Sequence, residues 1–372
     1  MNESARTTRL VSELRALDVD RLLVSSPVDV RYLTGYTGSN GLAVIATSEH
    51  AQQLFFTDFR YAIQSAEQVP DFYTREIAPV DLLQALAQVL GKGEQGTGGN
   101  LDRGKLGFDD AALSVKQYAR LRELLGEGWE LVPCGGVVES LREVKDEQEI
   151  ARIRAAAQLA DEALIGVLEA GLVGRSERDV AIELELGMRR LGAQAPSFPS
   201  IVAAGEHGAL PHAEPREVEI PKGVLVTIDW GAYLDGYCSD CTRTYATGTL
   251  GEDATRVYEL VLAAQEAALA ALSAGISGRA VDAVARSIIE DAGHGEHFGH
   301  GLGHGVGMEI HEGPRLSRTA GEQPLRAGNI VTVEPGVYLP GRLGVRIEDL
   351  AAVDDNGSQR LTQLPKALTF VD

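Results

Sequence analysis

Cysteine is scarce in this chain, three residues in 372, too few for a disulfide framework, and the odd count fits a reducing compartment. Cys238 and Cys241 form a Cys-x-x-Cys pair, but they sit inside a stretch of strand-forming residues and read as strand filler ahead of a redox or zinc pair. Positive charge is also short. With 34 Lys and Arg against 54 Asp and Glu, the formal net charge of −20 argues against nucleic acid and anionic membrane as partners, because phosphate binding needs a basic surface. No unbroken apolar run is long enough to cross a bilayer, and Met1-Asn-Glu-Ser-Ala-Arg-Thr-Thr-Arg9 leads into no signal-type apolar region, so a cytoplasmic location is expected. The helical His-Glu-x-x-His of single-zinc proteases is missing as well, since Gly301 and Leu302 follow His300.

Carboxylates and histidines are there instead, in two short runs: Asp229 to Asp240, and Gly303-His304-Gly-Val-Gly-Met-Glu-Ile-His311. With Glu334 in Val-Thr-Val-Glu-Pro-Gly and Glu348 in Val-Arg-Ile-Glu-Asp, they offer four carboxylates and one imidazole, an oxygen-rich set suited to two divalent cations. Asp235-Gly236 is a two-residue hairpin signal between the strand-like Val-Leu-Val-Thr-Ile-Asp-Trp and Thr-Arg-Thr-Tyr. A turn there pairs Leu234 with Tyr237 and sets Gly231 opposite Asp240. Side chains alternate with period two, so Asp229 becomes a diagonal neighbour of Asp240 on one face.

Five of the eight histidines fall between His294 and His311, where Gly299, Gly301, Gly303, Gly305 and Gly307 occupy alternate positions. As an extended segment this puts His300, Leu302, His304, Val306 and Met308 on one face and leaves the other bare, open to close approach of a backbone or ligand. Glu334 ends the apolar run Ile330-Val-Thr-Val and precedes a Pro-Gly turn, and Glu348 shares a strand face with Arg346. Charges placed at the end of apolar strands tend to be paired or metal-bound.

In order, Phe198-Pro-Ser-Ile-Val-Ala-Ala-Gly, Pro211-His212, Asp229 to Asp240 with Thr242-Arg-Thr, Gly303-His304-Gly-Val-Gly with His311-Glu312, Glu334-Pro-Gly with Tyr338, and Arg346-Ile-Glu-Asp resemble the creatinase, prolidase and aminopeptidase P group of metallopeptidases over almost the whole chain. The resemblance implies an α+β protein: a mixed α/β N-terminal domain over residues 1–135 and, over 136–372, a "pita-bread" catalytic domain with a curved antiparallel sheet flanked by helices. It implies that Asp229 chelates one metal, Asp240 and Glu348 bridge both, and His304 and Glu334 hold the second, with manganese first and cobalt or zinc as alternatives. It implies catalytic positions for His212, His311, Glu334, Tyr338 and Arg346, and hydrolysis of a bond that precedes proline. His207 departs from the asparagine that relatives commonly carry, which touches only local substrate contacts.

A water activated between two cations, a carbonyl polarised by one of them, proton transfer through Glu334 and oxyanion support from His311 or His212 make a complete hydrolysis without a serine or cysteine nucleophile. The four carboxylates carry about −4, which two divalent cations cancel, so the metal-free protein is expected to be the less stable form.

The first domain reads as helices at Arg9 to Leu17 and Val80 to Leu90 and strands at Arg21 to Ser25 and Gly41 to Ala46. Gly91 to Asn100 resembles a phosphate loop only superficially, since its lysine precedes the glycines, and reads as a surface loop. Asp29-Val-Arg31-Tyr32 resembles a pattern of short bacterial aminopeptidases P, which implies a part for these three residues in binding substrate, with Asp29 on the free amine, and a homodimer. The competing readings are a structural loop cap at Asp29 and, for the activity, an Xaa-Pro dipeptidase in which Arg315 forks a substrate carboxylate. His300 is a further candidate for substrate contact. The absence of an inserted segment that would close the pocket favours aminopeptidase P, and a metal-free peptide-binding module remains the non-enzymatic alternative.

Overall fold

The computed structural model describes residues 3–79, 81–91 and 103–372, so residues 92–100 of the glycine-rich stretch lie outside the described residues. Two units are present, one up to Arg142 and one from Glu143 to Asp372. The division falls later than the expected Gly135-Gly136 because Val137–Arg142 forms a short helix that buries Val138, Leu141 and Arg142 within the first unit. Arg142 is tied there by its contact with Asp29 at 2.7 Å.

In the first unit six strands run in the order Tyr73–Ala78, Gln53–Asp58, Gly41–Ala46, Arg21–Val24, Gly104–Phe108 and Trp129–Pro133. Parallel and antiparallel pairs are mixed. Leu23, Val44, Phe56 and Leu106 pack from this sheet against Leu83, Leu86 and Leu90 of the helix Leu82–Gly91. The Asp29 segment is helical, not a loop. Pro27–Thr34 starts on Ser26, whose Oγ accepts from the Asp29 N–H, and stops at Gly35, where φ of 73° suits a residue without Cβ.

The second unit opens with the helix Glu147–Glu169, which begins as its acidic start predicts: Asp146 and Glu149 close a reciprocal capping box. This helix and Glu177–Leu191 cover the three-stranded antiparallel sheet that contains Val224–Trp230, and Leu164, Leu184, Ile228 and Trp230 form one core. Glu252–Ala271 and Gly278–Asp291 contribute Val261 and Ile289 to a second core with Val331, Val333 and Ala351 of the five-stranded sheet. Two helix pairs thus back two antiparallel sheets, the helix-flanked arrangement that the resemblance implies. Cys238 and Cys241 are buried free thiols of the hairpin region. No helix among the described residues is long and apolar enough to cross a membrane.

Candidate metal centre

The hairpin adopts the register its spacing predicts. Asp235 and Gly236 take φ of 49° and 89°, the signature of a type I′ turn. Leu234 pairs with Tyr237, and the same register continues to Trp230 with Cys241 and Asp229 with Thr242. Gly231 lies between, where any Cβ would collide with the Ser239 carbonyl. Asp229 and Asp240 therefore point into one space, and Glu348 enters it just past the strand Leu343–Arg346, its N–H donating to the Thr242 carbonyl at 3.1 Å. One oxygen from each of Asp229, Asp240 and Glu348 lies within 4.8 Å of the others; Asp240 and Glu348 are buried, and the Asp229 side chain is 13% exposed.

His304 arrives on a strand of three residues, Gly303–Gly305, squeezed between neighbours. A Cβ at Gly303 would run into the Thr332 carbonyl and one at Gly305 into that of Gly313. The longer extended face expected from the alternating glycines does not form, since the register shifts between His304 and Gly305 and Leu302 is fully buried in the core. The His304 Nδ1 lies 3.0 Å from the Gly305 carbonyl, which assigns the proton to Nδ1 and a lone pair to Nε2. That Nε2 sits 3.5 Å from Asp240 Oδ2 and 3.5 Å from Glu334 Oε1. Burial lowers the imidazole pKa to about 4, so it is neutral and can ligate.

Without a cation these groups repel. Burial, then Glu348, Asp229 and Glu334, push Asp240 well above the usual carboxylate range; burial and the same kind of neighbours do so for Glu348. Glu334 is raised to about 7, first by burial. Asp229 Oδ1 and Glu348 Oε1 are buried acceptors with no donor among the described residues. Orphaned oxygens on Asp229 and Glu348, with an imidazole lone pair beside Asp240 and Glu334, fit divalent metal ions, which take oxygen and imidazole nitrogen and supply the missing positive charge.

Arg346, 3% exposed, organises the rim of this cluster. Its Nη2 donates to Asp229 Oδ2 at 2.7 Å. Its Nε donates at 3.0 Å to Thr242 Oγ1, which donates at 2.6 Å to Glu348 Oε2. Its Nη1 reaches the Tyr338 hydroxyl at 2.9 Å and the Pro211 carbonyl at 3.1 Å. His300 gives its Nδ1 proton to the Gly301 carbonyl at 2.7 Å and accepts the Tyr338 proton on Nε2 at 2.9 Å. Across the cluster, Thr332 accepts from the His304 N–H at 3.0 Å and donates to Glu334 Oε1 at 3.1 Å. In the sequence Thr242 stands out only as part of a motif and Thr332 only as part of an apolar run, neither with a role of its own. The signal was there, because each lies two residues from a ligand, after Asp240 and before Glu334, and shares its face.

A cavity of about 660 Å³ opens over the cluster, lined also by His212, His300, His311, Arg315, Phe198 and Ile310. The His311 ring stands edge-on to that of His304 with centroids 4.4 Å apart. His304 and Arg315 face each other across paired strands, and the Arg315 side chain has no ion-pair or hydrogen-bond partner among the described residues. Asp29, Arg31 and Tyr32 belong to the first unit. Asp29 is 2% exposed and bound to Arg142 at 2.7 Å, so it has no open face for a substrate amine, and the Tyr32 ring is covered by Arg6. His207 does not line the cavity: it is buried with its Nδ1 on Glu177.

Residues 151–355 match metallopeptidase family M24, and residues 6–144 match the creatinase/prolidase N-terminal domain. The chain belongs to family M24. Its fold is the pita-bread fold of that family: the solved structure of an Xaa-Pro dipeptidase from Bacillus anthracis superposes with a TM-score of 0.93 at 37% identity, covering 100% of both chains. The Xaa-Pro dipeptidase of Pyrococcus furiosus is 33% identical, with 98% of this chain and 99% of the relative covered. An X-Pro aminopeptidase from Thermotoga maritima has a TM-score of 0.88 at 33% identity, covering 98% of this chain and 100% of that one. The M24 chain is thus an enzyme of the metallopeptidase class, similar to peptidases named for an Xaa-Pro bond.

Proposed function

We propose that this M24 enzyme is an Xaa-Pro dipeptidase, with Asp229, Asp240, His304, Glu334 and Glu348 as the ligands of two divalent metal ions. The preference drawn from sequence, aminopeptidase P, gives way because the relatives above include two named Xaa-Pro dipeptidases. The observation that carries the choice is Arg315. A guanidinium at the cavity wall with no partner among the described residues is suited to fork the carboxylate that a dipeptide presents directly after its proline.

When bound, the metals supply Lewis acidity toward the scissile carbonyl and lower the pKa of a water near them. The protein's own groups do the rest. Arg346 holds Asp229 by Oδ2 and, through Thr242, Glu348 by Oε2, which leaves Oδ1 and Oε1 as the atoms that would hold metal. Glu334, oriented by Thr332 on Oε1, takes the proton of the attacking water at Oε2 and returns it to the leaving proline nitrogen. His311, whose pKa burial and then Arg315 lower, is neutral and donates an N–H toward the developing oxyanion, with His212 at the same cavity. Phe198 and Ile310 offer an apolar wall to the pyrrolidine ring.

The test is hydrolysis of an Xaa-Pro dipeptide and of the same sequence extended by one or two residues, with Mn²⁺ and after chelation, for the wild type and Arg315→Gln. Metal-dependent cleavage confined to the dipeptide, with KM raised in the variant, supports the proposal. Preferred cleavage of the longer peptides makes the enzyme an aminopeptidase P, the reading that the Thermotoga maritima neighbour favours.

A further inference from the structure

His212 stands at the cavity, yet among the described residues its imidazole has no side-chain or backbone hydrogen-bond partner. Its place is therefore set by its backbone. That backbone belongs to the segment between the strands Ile201–Ala204 and Val224–Trp230. In its middle, Gly208 packs against Gly344 with no room for a Cβ on Gly344, and the Pro211 carbonyl accepts from Arg346.

Glu177 holds both sides of this middle. It is 1% exposed in the first turn of the helix Glu177–Leu191. Its carboxylate collects five donors: the Ala204 N–H at 2.9 Å, His207 Nδ1 at 2.9 Å, and from Arg216 the backbone N–H at 3.1 Å, Nε at 3.1 Å and Nη2 at 3.2 Å. The next helical residue adds a bond of its own, Arg178 N–H to the Arg216 carbonyl at 3.1 Å. Ala204 enters the loop and Arg216 leaves it, so one buried carboxylate clasps both ends with His212 between them. Burial alone would raise the Glu177 pKa, but the Arg216 and backbone hydrogen bonds outweigh it and hold the group ionised.

We infer that Glu177 is a positioning residue for His212, acting on catalysis only through where its clasp on Ala204, His207 and Arg216 holds that imidazole. This rests on the proposed peptidase reading, in which His212 serves the transition state. An oxyanion contact is made only there, so loosening the clasp lowers kcat and kcat/KM together and leaves KM nearly constant. Misplacement of a catalytic group by about 1 Å can cost on the order of 100-fold in rate.

The experiment compares wild type, Glu177→Gln, His212→Ala and the double variant by Xaa-Pro hydrolysis, metal content and amide exchange over residues 205–216. Expected for Glu177→Gln are full metal content, faster exchange confined to that segment, and kcat lower by roughly 10- to 100-fold, with less than about twofold added in the His212→Ala background because the two act as one unit. An equal loss in both backgrounds, or unchanged exchange with full kcat, overturns the inference. Should Glu177→Gln fail to fold, Arg216→Ala removes two side-chain donors from a partly exposed position and is read the same way. If the wild-type enzyme cleaves no Xaa-Pro peptide, the proposed activity falls separately, and unchanged exchange in the variant overturns the clasp without reference to turnover.

Discussion

Each unit contains a group of three carboxylates whose oxygens approach within 4.8 Å: Asp29, Asp109 and Glu139 in the first, Asp229, Asp240 and Glu348 in the second. They differ in what neutralises them. Asp29 has an internal cation, Arg142, with both side chains 3% exposed, while Asp109 and Glu139 are only half-buried and stay in reach of water. In the second group Asp240 and Glu348 are buried and the Asp229 side chain is 13% exposed, Arg346 contacts only Asp229 directly among the described residues, and two carboxylate oxygens have no donor among them. The number of acidic residues is the same. What separates an ion-paired cluster from a metal site is the uncompensated charge, since an unpaired buried carboxylate persists only with a proton or a cation.

The comparison breaks most visibly if Asp240→Asn leaves turnover intact. Losing a ligand at the buried group should lower kcat/KM by roughly 10³-fold or more, with metal content per chain, read by elemental analysis, falling in parallel. At the other cluster, Asp29→Ala takes one carboxylate away from the buried Arg142 guanidinium. Chemical denaturation should then show a loss of about 3 kcal/mol with the metal content unaltered, and a neutral result would mean that Arg142 finds other partners.

Chelation sharpens the contrast. Removing metal held at about 100 times its Kd should lower Tm by roughly 5–10 °C, and the remaining stability should depend on pH with a definite sign. Glu334 has its folded-state pKa raised from 4.5 to about 7, so the folded form binds that proton more tightly than the unfolded chain does. Its contribution is present below 4.5 and is lost as pH rises through about 7, with Asp240 and Glu348 acting in the same direction. Thermal melts of the chelated protein across that range, set beside melts with metal, read the difference directly. The smallest effect expected is that of Thr242→Val, which cuts the link from Arg346 to Glu348. Metal affinity or activity should drop by about 10- to 100-fold, and isothermal titration with Mn²⁺ checks it.

Legibility from sequence followed the range of the interaction. Asp229 and Asp240 were placed on one face because a two-residue turn and a period of two fix a hairpin within a dozen positions. Glu334 was recognised as the charged end of an apolar strand for a similar local reason. The alternating glycines signalled close backbone approach, and the carbonyls of Thr332 and Gly313 do press on Gly303 and Gly305; how short the strand would be was not legible, because the shift at His304 depends on two neighbouring strands. The burial of Asp29 against Arg142 is not legible for a related reason. That partner is 113 positions away, and nothing near Asp29 announces that it will be buried.

By itself, then, the sequence determined the inventory of candidate ligands, the hairpin that pairs two of its members and the family to which the chain belongs, since these depend on residue type and short spacing. Only the tertiary structure decided by which contacts Glu348 reaches the hairpin carboxylates, that Arg346 would link Asp229, Thr242, Tyr338 and Pro211, and that Glu177 would clasp the His212 loop. Those contacts join elements far apart in the chain, and whether a carboxylate there meets an arginine, a metal or water is set by burial, which no local pattern encodes.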